Sequence, residues 1–316
     1  MSSHDLLEAL AIFAAGLAAG TINTVVGSGT LITFPTLLAF GYPPVLANVS
    51  NNVGLVPGVA SGVHGYRAEL TGQRKRILRL GSASLCGGLV GAVLLLVLPA
   101  GAFKAIVPAL IGIALVMVVF QPRLAKWVAA RQRSKAAEAR DAGGSAVEGG
   151  DGGVGVGGVG DGAAACGPRS PGAVAAGDGA RAVDVVEAVD AVSPPETAVQ
   201  LGGPVLWALV FLSGVYGGYF GAAQGVLLIG IMGVAFTETM QRINATKNVL
   251  AGLVNGVAAL VFIVATHVDW GVAGLIAAGA IIGGQVGARI GRRLPPWGLR
   301  VVIICVGTAA LVKLLV

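Results

Sequence analysis

Charged residues are scarce in this chain. Of its 316 residues only 11% are Asp, Glu, Lys or Arg, whereas 55% are hydrophobic. A soluble globular protein carries about 25% charged residues, so this chain has too little charge to cover a soluble surface. About half of the charged residues lie between Gln121 and Gln200. The remaining chain is nearly uncharged over long runs, which predicts a polytopic membrane protein.

Cysteine and acidic residues are also few, and each scarcity excludes a class of function. The three cysteines show no Cys-x-x-Cys spacing, so neither a zinc site nor a disulfide framework is expected. Carriers of cations or protons place carboxylates inside the membrane. Outside 123–200, however, the acidic residues lie near the ends of apolar runs: Asp5, Glu8, Glu69, Glu238 and Asp269. This distribution favours an anionic or a neutral substrate.

Apolar runs predict an all-α fold with about eight membrane-spanning helices. The predicted spans are Leu6–Val26, Ala47–Val63, Leu80–Leu98, Phe103–Phe120, Val205–Phe220, Ala245–Thr266, Gly271–Ala288 and Leu299–Val316. Two further apolar runs, Thr30–Phe40 and Val226–Phe236, are too short to cross about 30 Å of hydrocarbon. Each of these short helices follows a glycine-rich break, at Gly27–Gly29 and Gly221–Gly225. We therefore expect two broken or re-entrant helices in addition to the spans.

The second half of the sequence resembles the first. When residue 20 is placed over residue 216 without gaps, Gly29 pairs with Gly225 and Asn48 with Asn244, and both glycine-rich breaks coincide. An internal duplication is predicted, with membrane repeat 1 over residues 1–122 and membrane repeat 2 over residues 201–316. Residues 123–200 begin with basic residues and continue as glycine-rich low complexity, which predicts a disordered cytoplasmic linker.

Loop charge predicts that the two repeats are inverted in the membrane. Positively charged loops face the cytoplasm, and the basic segments are Arg67–Arg79, the start of the linker and Arg289–Arg300. The loop at His267–Trp270 then faces outside, although its counterpart in the first repeat, Arg67–Arg79, faces inside. By the same reasoning Gly41–Leu46 lies outside and Thr237–Arg242 lies inside.

The two glycine-rich breaks predict a site for a small anion. Non-helical backbone at membrane depth is tolerated where it lines a cavity, and a helix N-terminus there presents free N–H groups and a positive dipole end. Two such ends that converge from inverted repeats suit an anion. The alternative is that these glycines only permit close helix packing.

A polar cluster follows each short helix, Asn48–Asn52 in the first repeat and Asn244–Asn248 in the second. Lys247 adds a positive charge at the position equivalent to Asn51. The alternatives are that Asn48 and Asn244 cap helices and that Lys247 reaches to the membrane interface. The predicted substrate-binding residues are Asn23, Gly27, Ser28, Gly29, Ser50, Asn51, Asn52, Gln224, Gly225, Thr246, Lys247 and Asn248.

An intramembrane enzyme is not expected. Ser28 lies in a Gly-Ser-Gly sequence, but no histidine falls deep in a predicted span to act as its base. Neither a His-Glu-x-x-His motif nor a pair of intramembrane aspartates is present. A nucleotide-binding Gly-x-x-x-x-Gly-Lys motif is also missing, so transport is expected to run on gradients or on a partner.

The first repeat contains three further sequence features, in Gly20–Pro35, Gly41–Pro44 and Ala47–Asn51. With them it resembles the TauE/SafE sulfite exporter family. Pro35, Pro43, Pro44, Ala47 and Asn51 match the family pattern, and Ser50 replaces the usual threonine. Gly217–Asn248 is similar to the family's second copy and keeps Thr246, whereas Lys247 replaces its usual small polar residue. The resemblance implies a plasma-membrane permease for sulfite, sulfonates or related sulfur-containing organic anions.

Together these features predict a multi-pass permease of the bacterial plasma membrane that moves a small anion by alternating access. A channel-like facilitator for a neutral small solute is the alternative. The expected partners are the small anion and the lipid bilayer, with no nucleic acid and no cofactor or metal. A homo-oligomer, the coupling ion, the substrate and the direction of transport are left open by the sequence.

Overall fold

The computed structural model describes residues 3–145, 203–236, 238–289 and 296–315, and the regular elements within these ranges are all helical. The first half contains α1 Ser3–Val25, α2 Thr30–Ala39, α3 Pro44–Gly65, a 3₁₀ turn Arg67–Leu70, α4 Arg74–Val97 and α5 Ala100–Ser145. The second half contains α6 Gly203–Tyr219, α7 Gln224–Ala235, α8 Met240–Ala265, α9 Trp270–Arg289 and α10 Pro296–Leu315. The predicted all-α fold and both short helices are confirmed.

Five helices of the described residues are long and apolar enough to cross a membrane. They are Ser3–Val25, Arg74–Val97, Gly101–Gln121, Met240–Ala265 and Trp270–Arg289. Helix α3 has the length of a span, 22 residues, but carries the polar cluster Asn48–Asn52. The protein is thus a multi-pass membrane protein by length and composition, and eight spans stay a prediction.

Helix α5 continues well beyond its membrane segment. It has 46 residues and ends at Ser145, so residues 123–145 of the predicted linker are helical. Residues 146–200 of that linker lie outside the described residues. The chain through Lys135 and from Gln200 onward forms one compact unit, and all contacts given below lie within that unit.

The equivalent helices α3 and α8 run in opposite directions. At the end of α3, Tyr66 Oη accepts a hydrogen bond of 3.2 Å from Asn244 Nδ2, which lies at the start of α8. Further along, a Cβ atom on Gly252 would lie 3.2 Å from the Val59 side chain of α3. Since α3 and α8 occupy the same position in the two halves, the duplicated halves are inverted relative to each other.

Glycines allow the helices of the two halves to pack backbone against backbone. A Cβ atom on Gly20 of α1 would collide with the Ala280 backbone of α9, and one on Gly91 of α4 would collide with the Val215 carbonyl of α6. The pair α1–α9 becomes the pair α6–α4 when the halves are exchanged. Small residues at such contacts are typical of helix association in membranes. The last turns of α1 and α6 are buried within this packing.

Candidate functional site

Helices α1 and α6 end in the same way. Each is followed by a glycine with positive φ, Gly27 at 89° and Gly221 at 77°, a conformation that glycine adopts without steric cost. Gly27 N donates to the Ile22 carbonyl at 3.0 Å, and Gly221 N donates to the Tyr216 carbonyl at 3.2 Å. The structure therefore pairs Gly27 with Gly221.

The ungapped pairing of Gly29 with Gly225 is wrong at this point. Helix α7 has 12 residues whereas α2 has 10, and both short helices end at an alanine, Ala39 and Ala235. The second repeat thus contains two additional residues between its break and the end of its short helix. The ungapped pairing holds again from the start of α3 and α8 onward.

The two breaks meet in direct backbone contact. Gly225 N donates to the Gly27 carbonyl at 3.1 Å, and a Cβ atom on Gly225 would lie 2.5 Å from Gly27 Cα. We call this contact, with the adjoining Ser28 and Gln224, the crossing. Helices α2 and α7 begin beside it, and no side chain caps either N-terminus. The crossing therefore places two helix N-termini together, as the sequence predicts.

Lys247 is completely buried beside the crossing, with 0% of its surface exposed. Its alkyl chain passes α7, because a Cβ atom on Gly225 would lie 3.1 Å from Lys247 Cδ. Its Nζ donates to the Asn23 carbonyl at 3.0 Å and to the Thr24 carbonyl at 3.3 Å. These carbonyls belong to the end of α1, where the helix dipole is negative. An ammonium has three donors, and two of them are accounted for by these carbonyls.

Three side chains at the start of α8 donate hydrogen bonds to the Thr24 carbonyl. Asn244 Nδ2 donates to it at 3.1 Å and Asn248 Nδ2 at 3.3 Å, in addition to Lys247. Thr24 is in the last turn of α1, whose final carbonyls have no partner within the helix. Side chains of the second repeat thus satisfy the broken end of the first helix.

Four of the predicted site residues carry a buried polar atom without a hydrogen-bond partner in the described structure. The atoms are Ser28 Oγ, Asn51 Oδ1, Asn52 Oδ1 and Gln224 Nε2. Ser28 directly follows Gly27, and Gln224 directly precedes Gly225, so both adjoin the crossing. A buried polar group without a partner costs about 1–3 kcal/mol, and a polar ligand is one means of satisfying it.

Two of the predicted substrate-binding residues, Ser50 and Thr246, form hydrogen bonds with other parts of the protein. Ser50 Oγ accepts a hydrogen bond of 2.9 Å from Asp269 N, ahead of α9. Thr246 Oγ1 donates to Gln73 Oε1 at 2.8 Å, between the 3₁₀ turn and α4. The structure does not bring these hydroxyls to the crossing. Of the remaining predicted residues, Asn23 contributes its carbonyl, and Gly29 packs against the Ala19 backbone of α1.

Tyr219 is a central residue that the sequence reasoning missed. Its carbonyl, at the end of α6, accepts a hydrogen bond of 3.1 Å from Asn48 Nδ2, and its hydroxyl is buried without a partner in the described structure. Its ring lies 5.8 Å from the Phe103 ring of α5. Asn244 is also missing from the predicted set. Its sequence pairing with Asn48 of the first repeat could have identified it.

Polar contacts join different elements at both ends of the unit. At the end that carries the Arg67–Arg79 segment, which we call the basic end, Glu238 lies 3.1 Å from Arg76 and 2.7 Å from Arg242. At the opposite end Tyr42 Oη donates to Glu8 Oε1 at 2.8 Å. Burial, together with the neighbouring Glu8 carboxylate, raises the pKa of Tyr42 to about 12. Tyr42 therefore remains a neutral donor at physiological pH.

A sequence profile described as "Sulfite exporter TauE/SafE" matches residues 12–314. The chain belongs to the TauE/SafE family. A protein of Sinorhizobium sp. named "Probable membrane transporter protein ORF9" is 33% identical over 105 residues, which make up 33% of this chain and 40% of that protein. The alignment thus spans less than half of that relative, and no solved structure matches the chain significantly. Family membership assigns a role in membrane transport, which is not an enzyme class.

Proposed function

We propose that this TauE/SafE protein is a secondary carrier that moves a small anion across the bacterial plasma membrane by alternating access. The class of substrate is sulfite, a sulfonate or a related sulfur-containing organic anion. The observation that carries the proposal is the crossing, where two helix N-termini without side-chain caps lie beside the buried amino group of Lys247.

The groups at the crossing suit an oxyanion. The N-termini of α2 and α7 present the positive ends of their dipoles to the same region. Ser28 Oγ and Gln224 Nε2 are buried donors without a partner in the described structure, and Lys247 has one N–H beyond the two that bind carbonyls. In this proposal the substrate accepts hydrogen bonds from these groups and offsets the buried positive charge.

The inverted halves supply the elements of alternating access. Carriers built from inverted repeats bind substrate between broken helices and expose the site by moving one repeat against the other. Here Asn48 of the first half bonds to the end of α6, and Asn244 of the second half bonds to the end of α1. These reciprocal bonds join the halves on either side of the crossing, and we propose that they change as access alternates.

The family name supports the substrate class, since a sulfite exporter handles a sulfur oxyanion. The Sinorhizobium relative, named as a probable membrane transporter, supports transport in a bacterial membrane. The basic end is proposed to face the cytoplasm, following the positive-inside rule.

The test combines binding with transport. Thermal unfolding of the purified protein is measured with sulfite, sulfate, thiosulfate, taurine and small carboxylates, and we expect stabilisation by the sulfur oxyanions. The stabilising anion is then labelled and used for counterflow in proteoliposomes, where a carrier accumulates label against unlabelled substrate. A single-channel current without counterflow would contradict the carrier and favour a facilitator.

A further inference from the structure

A second polar site lies at the basic end, away from the crossing. A cavity of about 500 Å³ opens between the ends of α3 and α9 and the 3₁₀ turn that follows α3. Its lining residues are His64, Gly65, Arg67, Ala68, Gln285 and Arg289. Two of these carry a permanent positive charge, and none of them is acidic. The lining of the cavity therefore carries positive charge that no lining carboxylate neutralises.

Three of the lining side chains, those of His64, Arg67 and Gln285, form hydrogen bonds. His64 Nε2 lies 2.8 Å from Arg67 Nη1 and accepts a hydrogen bond from it, since a guanidinium can only donate. Gln285 Nε2 donates to the carbonyl and to the hydroxyl of Ser61, each at 3.0 Å. Arg67 and Arg289 line the same concave space, so an anion placed there would be attracted by two positive charges.

Because the chain is an internal duplication, the polar residues of this cavity can be compared with the equivalent residues of the other repeat. When the two repeats are aligned without gaps at the offset that pairs Asn48 with Asn244, the positions paired with His64, Arg67, Gln285 and Arg289 are all apolar. They are Leu260, Ile263, Leu89 and Val93, and each is at least 41% exposed. The positive-inside rule accounts for arginines at this end. It does not account for His64 and Gln285, which stand where the other repeat has leucines.

We propose that this cavity binds a tetrahedral oxyanion group of the phosphate or sulfate type. Arginine forks match such a group with paired hydrogen bonds. The group has two sources, a free anion in the cytoplasm or the headgroup of an anionic phospholipid, since basic pockets between membrane helices also hold headgroups. The site shares no residue with the crossing. Failure of this proposal would therefore leave the proposed transport function unaffected, and the reverse also holds.

The experiment uses the full-length protein in nanodiscs of uncharged phosphatidylcholine, with inorganic phosphate as the probe. Thermal unfolding is followed against phosphate concentration in the wild type, Arg67→Gln and Arg289→Gln. Each arginine variant is expected to weaken phosphate binding about 10- to 150-fold. Arg67→Lys keeps the charge but loses the fork and is expected to be intermediate. The controls Arg74→Gln and Lys75→Gln remove the same charge from exposed positions outside the cavity and should bind as the wild type does.

A second arm identifies the source of the group. Nanodiscs that contain phosphatidylglycerol are compared with those that contain phosphatidylcholine alone. Arginine-dependent stabilisation by phosphatidylglycerol supports a headgroup in the site, and arginine-dependent stabilisation by phosphate alone supports a free anion. If neither probe stabilises the wild type more than it stabilises Arg67→Gln and Arg289→Gln, the proposal is wrong.

Discussion

The ends of α1 and α6 are equivalent in the duplicated fold. They differ in the side chains of the opposite half that donate hydrogen bonds to them. At the end of α1, Lys247 and two asparagines donate to the Asn23 and Thr24 carbonyls. At the end of α6, Asn48 donates to the Tyr219 carbonyl. The backbone arrangement is thus shared, whereas the charge is confined to one side.

This difference arises from a single pair of equivalent positions. Asn51 in α3 and Lys247 in α8 are both buried, but Asn51 Oδ1 has no partner in the described structure whereas Lys247 Nζ has two. The two halves share similar helix breaks, and the difference between Asn51 and Lys247 places a basic side chain at only one of them. We infer that the substrate charge is recognised mainly from the second repeat.

The largest effect is expected when the charge of Lys247 is reversed. Lys247→Glu places a carboxylate against the Asn23 and Thr24 carbonyls, and we expect loss of substrate binding and transport. Lys247→Asn makes the second cluster resemble the first, and should weaken anion binding about 10- to 150-fold, the value of a charged hydrogen bond. Affinity is measured by thermal unfolding against substrate concentration.

Lys75→Asn is the matched control, because Lys75 is exposed at the basic end. It should leave anion affinity unchanged. If Lys247→Asn folds and binds the anion as tightly as the wild type does, Lys247 serves only the end of α1. The binding site would then consist of the helix breaks without the lysine.

A second prediction tests the backbone contact between the breaks. Gly225→Ala brings a Cβ atom to 2.5 Å from Gly27 Cα, and neither backbone can move without disturbing the other half. Overpacking of this kind costs about 1–3 kcal/mol or more. Gly256→Ala is the control, since a Cβ atom there, within α8, meets nothing within 4 Å. It should stabilise the protein by about 0.5–1 kcal/mol, as measured by thermal unfolding in detergent. Equal midpoints for the two variants would show that the breaks are not in tight contact.

The sequence predicted the helix breaks and the inversion of the repeats, because glycine content and loop charge are local properties. It did not predict the partner of Lys247, since the Asn23 carbonyl is 224 residues away along the chain. It also grouped Ser50 and Thr246 with their neighbours as site residues. Successive helical residues point about 100° apart, so three consecutive polar side chains cannot all face one site. The separate partners of Ser50 and Thr246 follow from this geometry.

The third prediction compares one asparagine at each helix end. Asn48→Ala removes the donor that reaches the Tyr219 carbonyl, and leaving a buried carbonyl unpaired costs about 1–3 kcal/mol. Asn248→Ala removes one of three donors to the Thr24 carbonyl, so it should cost less than Asn48→Ala. The free energy of unfolding is compared for the two variants. A larger loss for Asn248→Ala would contradict the view that the end of α1 is the better satisfied of the two.

The smallest effects are expected at the loops that follow the two short helices, where Tyr42 and Glu238 are equivalent. Glu238 joins Arg76 and Arg242 in partly exposed ion pairs, and such pairs contribute at most about 1 kcal/mol. Glu238→Gln should therefore lower stability only slightly, and less so at high salt because salt screens exposed charges. Unfolding midpoints at low and high salt check this, and a salt-independent loss would contradict it.

Tyr42 provides the last test, through its dependence on pH. Its pKa is raised from 10.0 to about 12, so the folded state holds the phenolic proton more tightly than the unfolded state does. The contribution to stability is fully present below pH 10 and is lost as the pH rises through about 12. Tyr42→Phe removes the hydrogen bond to Glu8 and should cost about 1 kcal/mol at neutral pH. The difference between the unfolding midpoints of wild type and Tyr42→Phe should shrink over that alkaline range. A difference that stays constant up to pH 12 would show that the stabilisation by Tyr42 does not depend on its phenolic proton.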